Sequence, residues 1–223
     1  MHAAAQDFVK KALNDYGAVT KHVLEFGSQD VNGEIRSLFP AAQSYLGIDI
    51  CPGPGVDLVQ DAAEWLPDKA YACIITTETF EHTPRWREML KLAASALAPD
   101  GIMIVTCASG TRRPHSATMP NKRPANGEHY ANIQQSEFRQ AAVAVGLLAE
   151  VTVDIERGDL YATLRHAPPT AANGLLIVGA GMWRTATVSL KIALEELTGM
   201  HAHHMTELMK HPDQAIHWLA AVK

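Results

Sequence analysis

The chain has 223 residues, of which 47% are hydrophobic and 19% are charged. This length accommodates one complete α/β domain and a fragment of a second, and the composition excludes a mainly disordered protein. With 24 acidic and 19 basic residues the net charge is −5, so no overall basic field attracts nucleic acid or anionic membrane surfaces.

The three cysteines, Cys51, Cys73 and Cys107, show neither the CxxC spacing of a metal hook nor the even number of a secreted disulfide scaffold. No segment has the apolar core of a signal peptide, and no apolar run reaches membrane-spanning length. We therefore expect a cytoplasmic protein with reduced thiols and with no membrane or nucleic-acid partner.

Helix and strand patterns alternate along the first half of the chain. Apolar residues at helical spacing predict a helix from about Ala3 to Tyr16 that ends at Gly17. A helix at 31–39, stopped by Pro40, is expected after the first strand. The strand patterns of this half lie at 22–26, 44–50, 57–60 and 71–77.

The second half continues the alternation with two helices and three strands. Pro84 suits the first turn of a helix through WREMLKLAASALA, which should end at the turn Pro99-Asp100-Gly101 before the strand IMIVTCA. The segment QSEFRQAAVAVG predicts a helix with Ser136 as a candidate N-cap. Two strands, LLAEVTVDI and GDLYATLRH, then follow with a tight turn around Arg157-Gly158.

This alternation predicts an α/β fold. It consists of a Rossmann-like, doubly wound, mostly parallel sheet of seven strands, closed by an antiparallel hairpin at its C-terminal edge. Residues 1–166 form this domain, and the Pro- and Gly-containing segment 167–174 is predicted as a linker. Residues 175–223 add a short strand-loop-helix extension.

Several residues that follow the strands suit a nucleotide ligand, because ligands of doubly wound sheets bind outside the carboxyl ends of the strands. Gly27, after the first strand, lets a backbone come close, and the amides of the following helix would act as donors. Asp49 ends the second strand, where a ribose diol needs an acceptor. Asp61 ends the third strand, where it could accept a hydrogen bond from an adenine amino group.

At this point the sequence resembles the class I S-adenosylmethionine-dependent methyltransferases over about residues 20 to 165. The segments that carry the resemblance are LEFG, YLGIDI, QDAAEWLP, TTETFEHTPRWREML and LAPDGIMIVTCA. The stretch TETFEHT looks like the post-strand signature of the small-molecule branch of that family. The resemblance implies S-adenosylmethionine as cofactor and a small-molecule or glycan-like acceptor.

The resemblance also implies a set of cofactor-binding residues: Glu25, Gly27, Ser28, Asp49, Ile50, Asp61, Ala62, Glu78 and Glu81. In that family Glu25 would lie on the methionine side, Asp49 would take the ribose hydroxyls and Asp61 would meet the adenine. Glu78 and Glu81 would lie near the mouth, close to the sulfonium.

The first glycine motif departs from the family pattern acidic-x-Gly-x-Gly-x-Gly, because Gln29 and Val31 replace the second and third glycines. Side chains at these positions narrow the approach to a cofactor. The alternative hypothesis is therefore a Rossmann-like binding or scaffold domain without methyltransferase activity.

Methyl transfer from a sulfonium requires mainly that the acceptor be held in line, and a base is needed only for a protic acceptor. His82 and His115 are the candidate catalytic bases. The competing interpretation of each is a hydrogen-bonded structural histidine.

The long polar segment after Ala108 is the candidate acceptor-binding loop. Arg112, Arg113, His129 and Tyr130 are its predicted substrate-binding residues. Its basic character suggests an acceptor with carboxylate or phosphate groups, and the competing interpretation is a solvated loop without a ligand.

The extension GLLIVGAGMWRTATVSLKIALEEL matches neither a dinucleotide fingerprint nor a strict P-loop. It resembles the opening of the sulfotransferase fold, whose phosphosulfate loop would correspond to Arg184, Thr185, Thr187 and Ser189. Ala186 replaces the glycine of that loop, and about 50 residues are covered, so we expect an inactive, truncated segment. The alternative is the N-terminal part of a bifunctional methyltransferase-sulfotransferase.

The histidines of this extension, from His201 to His217, come without a carboxylate or cysteine pattern. No metal site is therefore predicted from the sequence.

Overall fold

The computed structural model describes residues 3–17, 19–119 and 122–167. The chain divides into two units, Met1–His166 and Ala167–Lys223, and the helices and strands described here belong to the first. The described helices are α1 (Ala3–Tyr16), α2 (Trp86–Ala96) and α3 (Gln135–Ala144). The described strands are β1 (His22–Phe26), β2 (Ser44–Asp49), β3 (Leu58–Val59), β4 (Tyr71–Thr77), β5 (Leu97–Ala108), β6 (Leu147–Asp154) and β7 (Asp159–His166).

The seven strands form one sheet in the order β3-β2-β1-β4-β5-β7-β6. The pairs from β3 to β5 are parallel, and β7 runs antiparallel to both β5 and β6. The predicted parallel sheet with an antiparallel C-terminal hairpin is confirmed. Since the strand order reverses between β1 and β4, a crevice opens at the carboxyl ends of these two strands.

Both faces of the sheet are covered, and the central strands alternate between them. Val23 of β1 packs in a cluster with Val9 of α1, whereas its neighbour Leu24 packs with Leu90 of α2 and Phe138 of α3. Successive residues of a strand point to opposite faces, so the nearly continuous apolar run in β1 is the pattern expected of a strand buried on both sides.

The prediction of a helix at 31–39 is wrong, because only a short 3₁₀ turn, Arg36–Leu38, forms there. Side chains in this part of the chain accept hydrogen bonds from nearby backbone amides. Asp30 Oδ1 accepts a hydrogen bond from the Gly33 amide at 2.8 Å, and Glu34 Oε2 accepts one from the Ser37 amide at 2.9 Å. Such local bonds compete with helix formation, and Gly33 has a φ of 108°, which no α-helix accepts.

Two other local expectations are also corrected. Pro99-Asp100-Gly101 does not separate a helix from a strand: it lies inside β5, where the register against β4 shifts, as in a bulge. The N-cap of α3 is Gln134, without a side-chain capping bond, rather than Ser136. The predicted end of α1 at Gly17 is confirmed by the bond from its amide to the Leu13 carbonyl at 2.9 Å.

Within the described part of the chain, no helix combines the length and the apolar sequence that crossing a bilayer requires.

The contact between α2 and α3 gives a test of the fold. Phe138 is fully buried, and its ring stacks on Trp86 with centroids 6.1 Å apart. We expect Phe138→Ala to lower the free energy of unfolding by about 3–5 kcal/mol, the usual cost of an aromatic cavity, as measured by urea denaturation. Ile155→Ala is the control, since Ile155 is 85% exposed and its loss should cost less than about 0.5 kcal/mol. Equal effects of the two substitutions would contradict this packing.

Candidate functional site

A cavity of about 840 Å³ opens at the carboxyl ends of the parallel strands, a size suited to a small-molecule ligand. Its lining draws on the segments that follow each strand from β1 to β5. The sequence-predicted residues that line it are Glu25, Gly27, Ser28, Asp49, Ile50, Asp61, Ala62, Glu78, His82, Arg112, His115 and His129.

The loop after β1 is bonded to the end of β2. The amides of Gly27 and Ser28 both donate to the Ile48 carbonyl, at 2.9 and 3.2 Å, and the Gln29 amide donates to Asp49 Oδ2 at 3.1 Å. We expected the amides that open a following helix, at 31–39, to act as ligand donors. That expectation is wrong, because no α-helix lies between β1 and β2. The amides of the loop itself, from Gly27 to Gln29, are already bonded to β2.

The departure from the glycine motif also has a structural explanation. The Gln29 side chain turns toward the loop after β2, where its Nε2 donates to the Pro52 carbonyl at 3.2 Å. The next amide, of Asp30, donates to the Pro54 carbonyl at 2.9 Å. Gln29 and Val31 still line the cavity, so they shape its wall while Gln29 anchors the loop.

Glu25 places a buried carboxyl group in the cavity wall. It is 6% exposed, and the Tyr45 hydroxyl donates a hydrogen bond to its Oε2 at 2.8 Å. Burial raises the pKa of Glu25 to about 7, although the Tyr45 hydrogen bond and the charge of Arg36 act in the opposite direction. A cation in the cavity would therefore meet a carboxyl group that is ready to ionise.

Asp49 and Asp61 also act as acceptors at neighbouring strand ends. Asp49 Oδ1 accepts from the Cys51 amide at 2.9 Å, and Asp61 Oδ1 accepts from the Ala63 amide at 2.8 Å. Asp61 Oδ2 is paired with Arg85 at 2.7 Å, a contact that the sequence did not reveal. Each carboxylate oxygen can accept more than one bond, so both side chains keep capacity for a ligand.

Glu78 is held in an uncommon backbone conformation beside the cavity. Its φ of 52° is the one positive value among the described non-glycine residues. Its carboxylate accepts from Thr106 Oγ1 at 3.1 Å and pairs with Arg112 at 2.8 Å, and Arg112 also contacts Asp159. The acceptor loop is thus fastened to β4 and β7 through its first predicted substrate-binding arginine.

Three predicted site residues, Glu81, Arg113 and Tyr130, lie outside the cavity lining. Glu81 is fully buried rather than at the mouth of the cavity. It lies in a 3₁₀ turn after β4, Phe80–His82, and its Oε1 accepts a hydrogen bond from the Ala108 amide at 3.1 Å. Burial, with the charge of Glu78 next, raises the pKa of Glu81 to about 8. Arg113 is exposed, and Tyr130 packs edge-on against His82 and His115, which line the cavity.

Comparison with family models gives the assignment. A model described as a methyltransferase domain matches residues 1–149. The chain belongs to this methyltransferase family. A second model, described as a sulfotransferase domain, matches residues 176–223. A search of curated protein sequences gives no match.

Solved structures share the methyltransferase fold. A DhpI complex with SAH has a TM-score of 0.56 at 21% identity, covering 74% of this chain and 85% of its own. An S-adenosylmethionine-dependent methyltransferase from Clostridium acetobutylicum gives 0.57 at 8% identity, covering 75% and 93%. The 1,6-didemethyltoxoflavin-N1-methyltransferase of Burkholderia thailandensis, solved with 1,6-didemethyltoxoflavin and S-adenosylhomocysteine, gives 0.57 at 13% identity, covering 74% and 79%. At these identities the likeness is one of fold.

In this methyltransferase the two histidines proposed as bases lie side by side. The ring centroids of His82 and His115 are 4.9 Å apart, and Tyr130 packs edge-on against both. Burial lowers the pKa of His82 to about 4, with His115 contributing next, and burial also lowers the pKa of His115. Both rings are therefore neutral at pH 7 and carry a lone pair.

The predicted phosphosulfate-loop residues Arg184, Thr185, Thr187 and Ser189 lie outside the described residues. Their assignment stays a prediction, as does the domain division at 167–174.

The close packing of the loops after β1 and β4 gives a test of the methyltransferase site. Gly27 has a φ of 74°, and a Cβ there would stand 2.0 Å from Thr79 Oγ1. We expect Gly27→Ala to lower the free energy of unfolding by about 2–5 kcal/mol, from backbone strain and overpacking together. Gly146→Ala is the matched control, because its φ is 78° with nothing within 4 Å, and strain alone should cost about 1–2 kcal/mol. Urea denaturation of both variants checks the difference, and equal losses would exclude the contact with Thr79.

Proposed function

We propose that the chain transfers a methyl group from S-adenosylmethionine to a small-molecule acceptor. One observation carries the proposal: in a chain of the methyltransferase family, the carboxyl ends of three adjacent parallel strands bring Glu25, Asp49 and Asp61 into one cavity. An ammonium group, a ribose diol and an adenine amino group are all donors, and these three side chains are acceptors.

The cavity fits the cofactor by its size and by its polar groups. Ser28 lines it, and the Ser28 hydroxyl is buried without a hydrogen-bond partner among the residues described, which is the state of a group that awaits a ligand. The DhpI and Burkholderia structures were solved with SAH or S-adenosylhomocysteine. The cofactor is S-adenosylmethionine, which supplies a methyl group already attached to a sulfonium leaving group.

The residues of this chain then bind, orient and exclude water. We assign Glu25 to the ammonium group, Asp49 to the ribose hydroxyls and Asp61 to the adenine. His82, His115 and His129 line the cavity, and we assign them to its acceptor side. For a protic acceptor, a neutral His82 or His115 can accept the proton, and for other acceptors positioning alone suffices.

The acceptor is proposed as a small molecule, in keeping with the bound 1,6-didemethyltoxoflavin of the Burkholderia relative. The basic loop predicts an anionic acceptor. However, Arg112 already pairs with Glu78 and Asp159, so an anion would have to compete with two carboxylates for that guanidinium.

A second candidate function follows from the sulfotransferase match at 176–223. This match supports the hypothesis that the chain is the N-terminal part of a bifunctional methyltransferase-sulfotransferase. Sequencing the gene beyond the codon for Lys223 tests this hypothesis. A stop codon there, in the natural transcript, would exclude it.

Calorimetric titration with S-adenosylhomocysteine tests the cofactor assignment. We expect saturable binding, and Asp49→Ala should weaken it more than about tenfold, since a charge-assisted hydrogen bond contributes about 1.5–3 kcal/mol. Asp57→Ala is the control. Asp57 also accepts a strand amide, that of Gly47 at 2.7 Å, and pairs with Arg36, but it lies outside the cavity lining.

The control variant should therefore lose stability but keep its affinity when measured under conditions in which it is folded. If the folded wild-type chain gives no heat of binding, the scaffold hypothesis replaces the methyltransferase hypothesis. Equal affinity of wild type and Asp49→Ala would remove Asp49 from the site.

The pH dependence of this binding tests Glu25. An ammonium ligand prefers the ionised carboxylate, so below the folded-state pKa of about 7 the affinity should fall by up to about tenfold per pH unit, and above it the affinity should level off. The groups that act on the Glu25 carboxyl are Tyr45, through its hydrogen bond, and the charges of Arg36, Glu34 and Asp49. Glu25→Gln should bind more weakly at pH 8 and lose the pH dependence between about pH 5.5 and 7.5. An unchanged slope in that variant would assign the titration to another group.

A further inference from the structure

A cluster of metal-ligand side chains lies at the acceptor side of the cavity. Glu81, His82 and His115 each offer a ligand atom, and these atoms all lie within 4.8 Å of one another. The two histidines line the cavity, and Glu81, the residue before His82, is fully buried. One carboxylate and two imidazoles form the donor set of many open Zn²⁺ and Fe²⁺ sites.

The ligand atoms are also available. Glu81 Oε1 is occupied by the Ala108 amide, but its buried Oε2 has no hydrogen-bond partner within the described residues. His82 Nδ1 is likewise buried and unpartnered in that part of the chain. Leaving a buried polar atom unpaired is costly, and two such atoms on adjacent residues of one metal-ligand cluster are consistent with a shared ligand.

The surrounding residues orient the imidazoles as in known metal sites. His115 Nδ1 bonds to the Arg113 carbonyl at 3.3 Å, which makes Nδ1 the donor and leaves the lone pair on Nε2. A backbone bond of this kind commonly fixes the tautomer of a metal-binding histidine. Tyr130 packs edge-on against both rings, with centroids 5.4 and 4.9 Å away, and restricts their rotation.

We propose that Glu81 Oε2, His82 Nδ1 and His115 Nε2 bind a divalent transition-metal ion of the Zn²⁺ class, which coordinates a hydroxyl oxygen of the methyl acceptor. Two ligands about 2.1 Å from a tetrahedral ion stand roughly 3.4 Å apart. The ligand atoms of the cluster lie within 4.8 Å of one another, so they must approach by up to about 1.4 Å when the ion binds. With three protein ligands the ion keeps an open position toward the cavity.

The role of this ion rests on the proposed methyl transfer. Coordination lowers the proton affinity of a hydroxyl group, so the proton leaves to solvent without a protein base. The oxygen then forms the new bond to the methyl carbon, and the electron pair of the broken carbon–sulfur bond stays on sulfur. The step needs no oxidant or reductant. In this arrangement His82 and His115 act as metal ligands rather than as free bases.

Cobalt binding tests the site without any acceptor. The untagged full-length chain is freed of metal with a chelator and titrated with Co²⁺, and the visible absorption of the bound ion is recorded. We expect the chain to bind one equivalent of Co²⁺, to show the absorption bands of a Co²⁺ ion with few ligands, and to release this ion when Zn²⁺ is added. Glu81→Gln and His115→Ala should each weaken the affinity for Co²⁺ more than about 100-fold. Loss of a residue that only supports a metal ligand already lowers metal affinity about 10- to 100-fold.

The histidines at 201–217 are an alternative source of binding, so a variant with His203→Ala and His204→Ala is the matched control. It should keep the spectrum and the affinity. Absence of a stoichiometric Co²⁺ spectrum, loss of the spectrum in this control, or its survival in both Glu81→Gln and His115→Ala would overturn the proposal. Circular dichroism shows which variants fold, and His115→Ala, on a half-buried loop position, decides the matter if Glu81→Gln does not.

S-adenosylhomocysteine titration of the same preparation separates the two proposals. If the chain binds the cofactor but not Co²⁺, the metal-site proposal is wrong and the methyltransferase proposal stands. If it binds Co²⁺ but not the cofactor, the metal site stands and its role in methyl transfer is wrong.

Discussion

The parallel register of β1 with its two neighbours is the constraint on which the cavity depends. Phe26 pairs with Ile48 of β2 and with Thr76 of β4, so the three strands end at one level. The residues just beyond these ends are then the ones that meet. A slip of one residue would turn every side chain of β1 to the other face. An apolar neighbour would then take the place of Glu25, and the cavity would lose this carboxyl group.

The site contains buried carboxyl groups whose ionised form is disfavoured by burial. Glu25 and Glu81 both have pKa values raised by burial, whereas Glu78 and Asp159 share Arg112 as a counterion. Glu25 and Glu81 form no ion pair within the described residues, and these two groups face the proposed ligands, an ammonium group and a metal ion. Because each ligand would favour the folded state by mass action, occupancy of the cavity and stability of the domain should rise together.

The sequence predicts the sheet well because its signals are local. Apolar runs define β1 and β4, and Gly17 ends α1 through a single residue's conformation. The site is predicted less completely. Strand-end residues such as Asp49 follow from topology, but the use of the Gln29 amide by Asp49 depends on how two loops fold together. The contact between His82 and His115 joins positions separated by a strand and a helix, and nothing in the spacing of these residues announces it.

The close packing at Gly27 makes the residue tolerated in the loop after β1 depend on the residue in the loop after β4. A side chain larger than that of glycine at position 27 would clash with Thr79. Thr79 Oγ1 also donates a hydrogen bond to the Thr77 carbonyl at 3.0 Å. Substitutions at 27 and 79 should therefore not be additive. Among relatives of this domain, a residue larger than glycine at position 27 is expected to occur together with a residue smaller than threonine at position 79. The two loops should therefore change together.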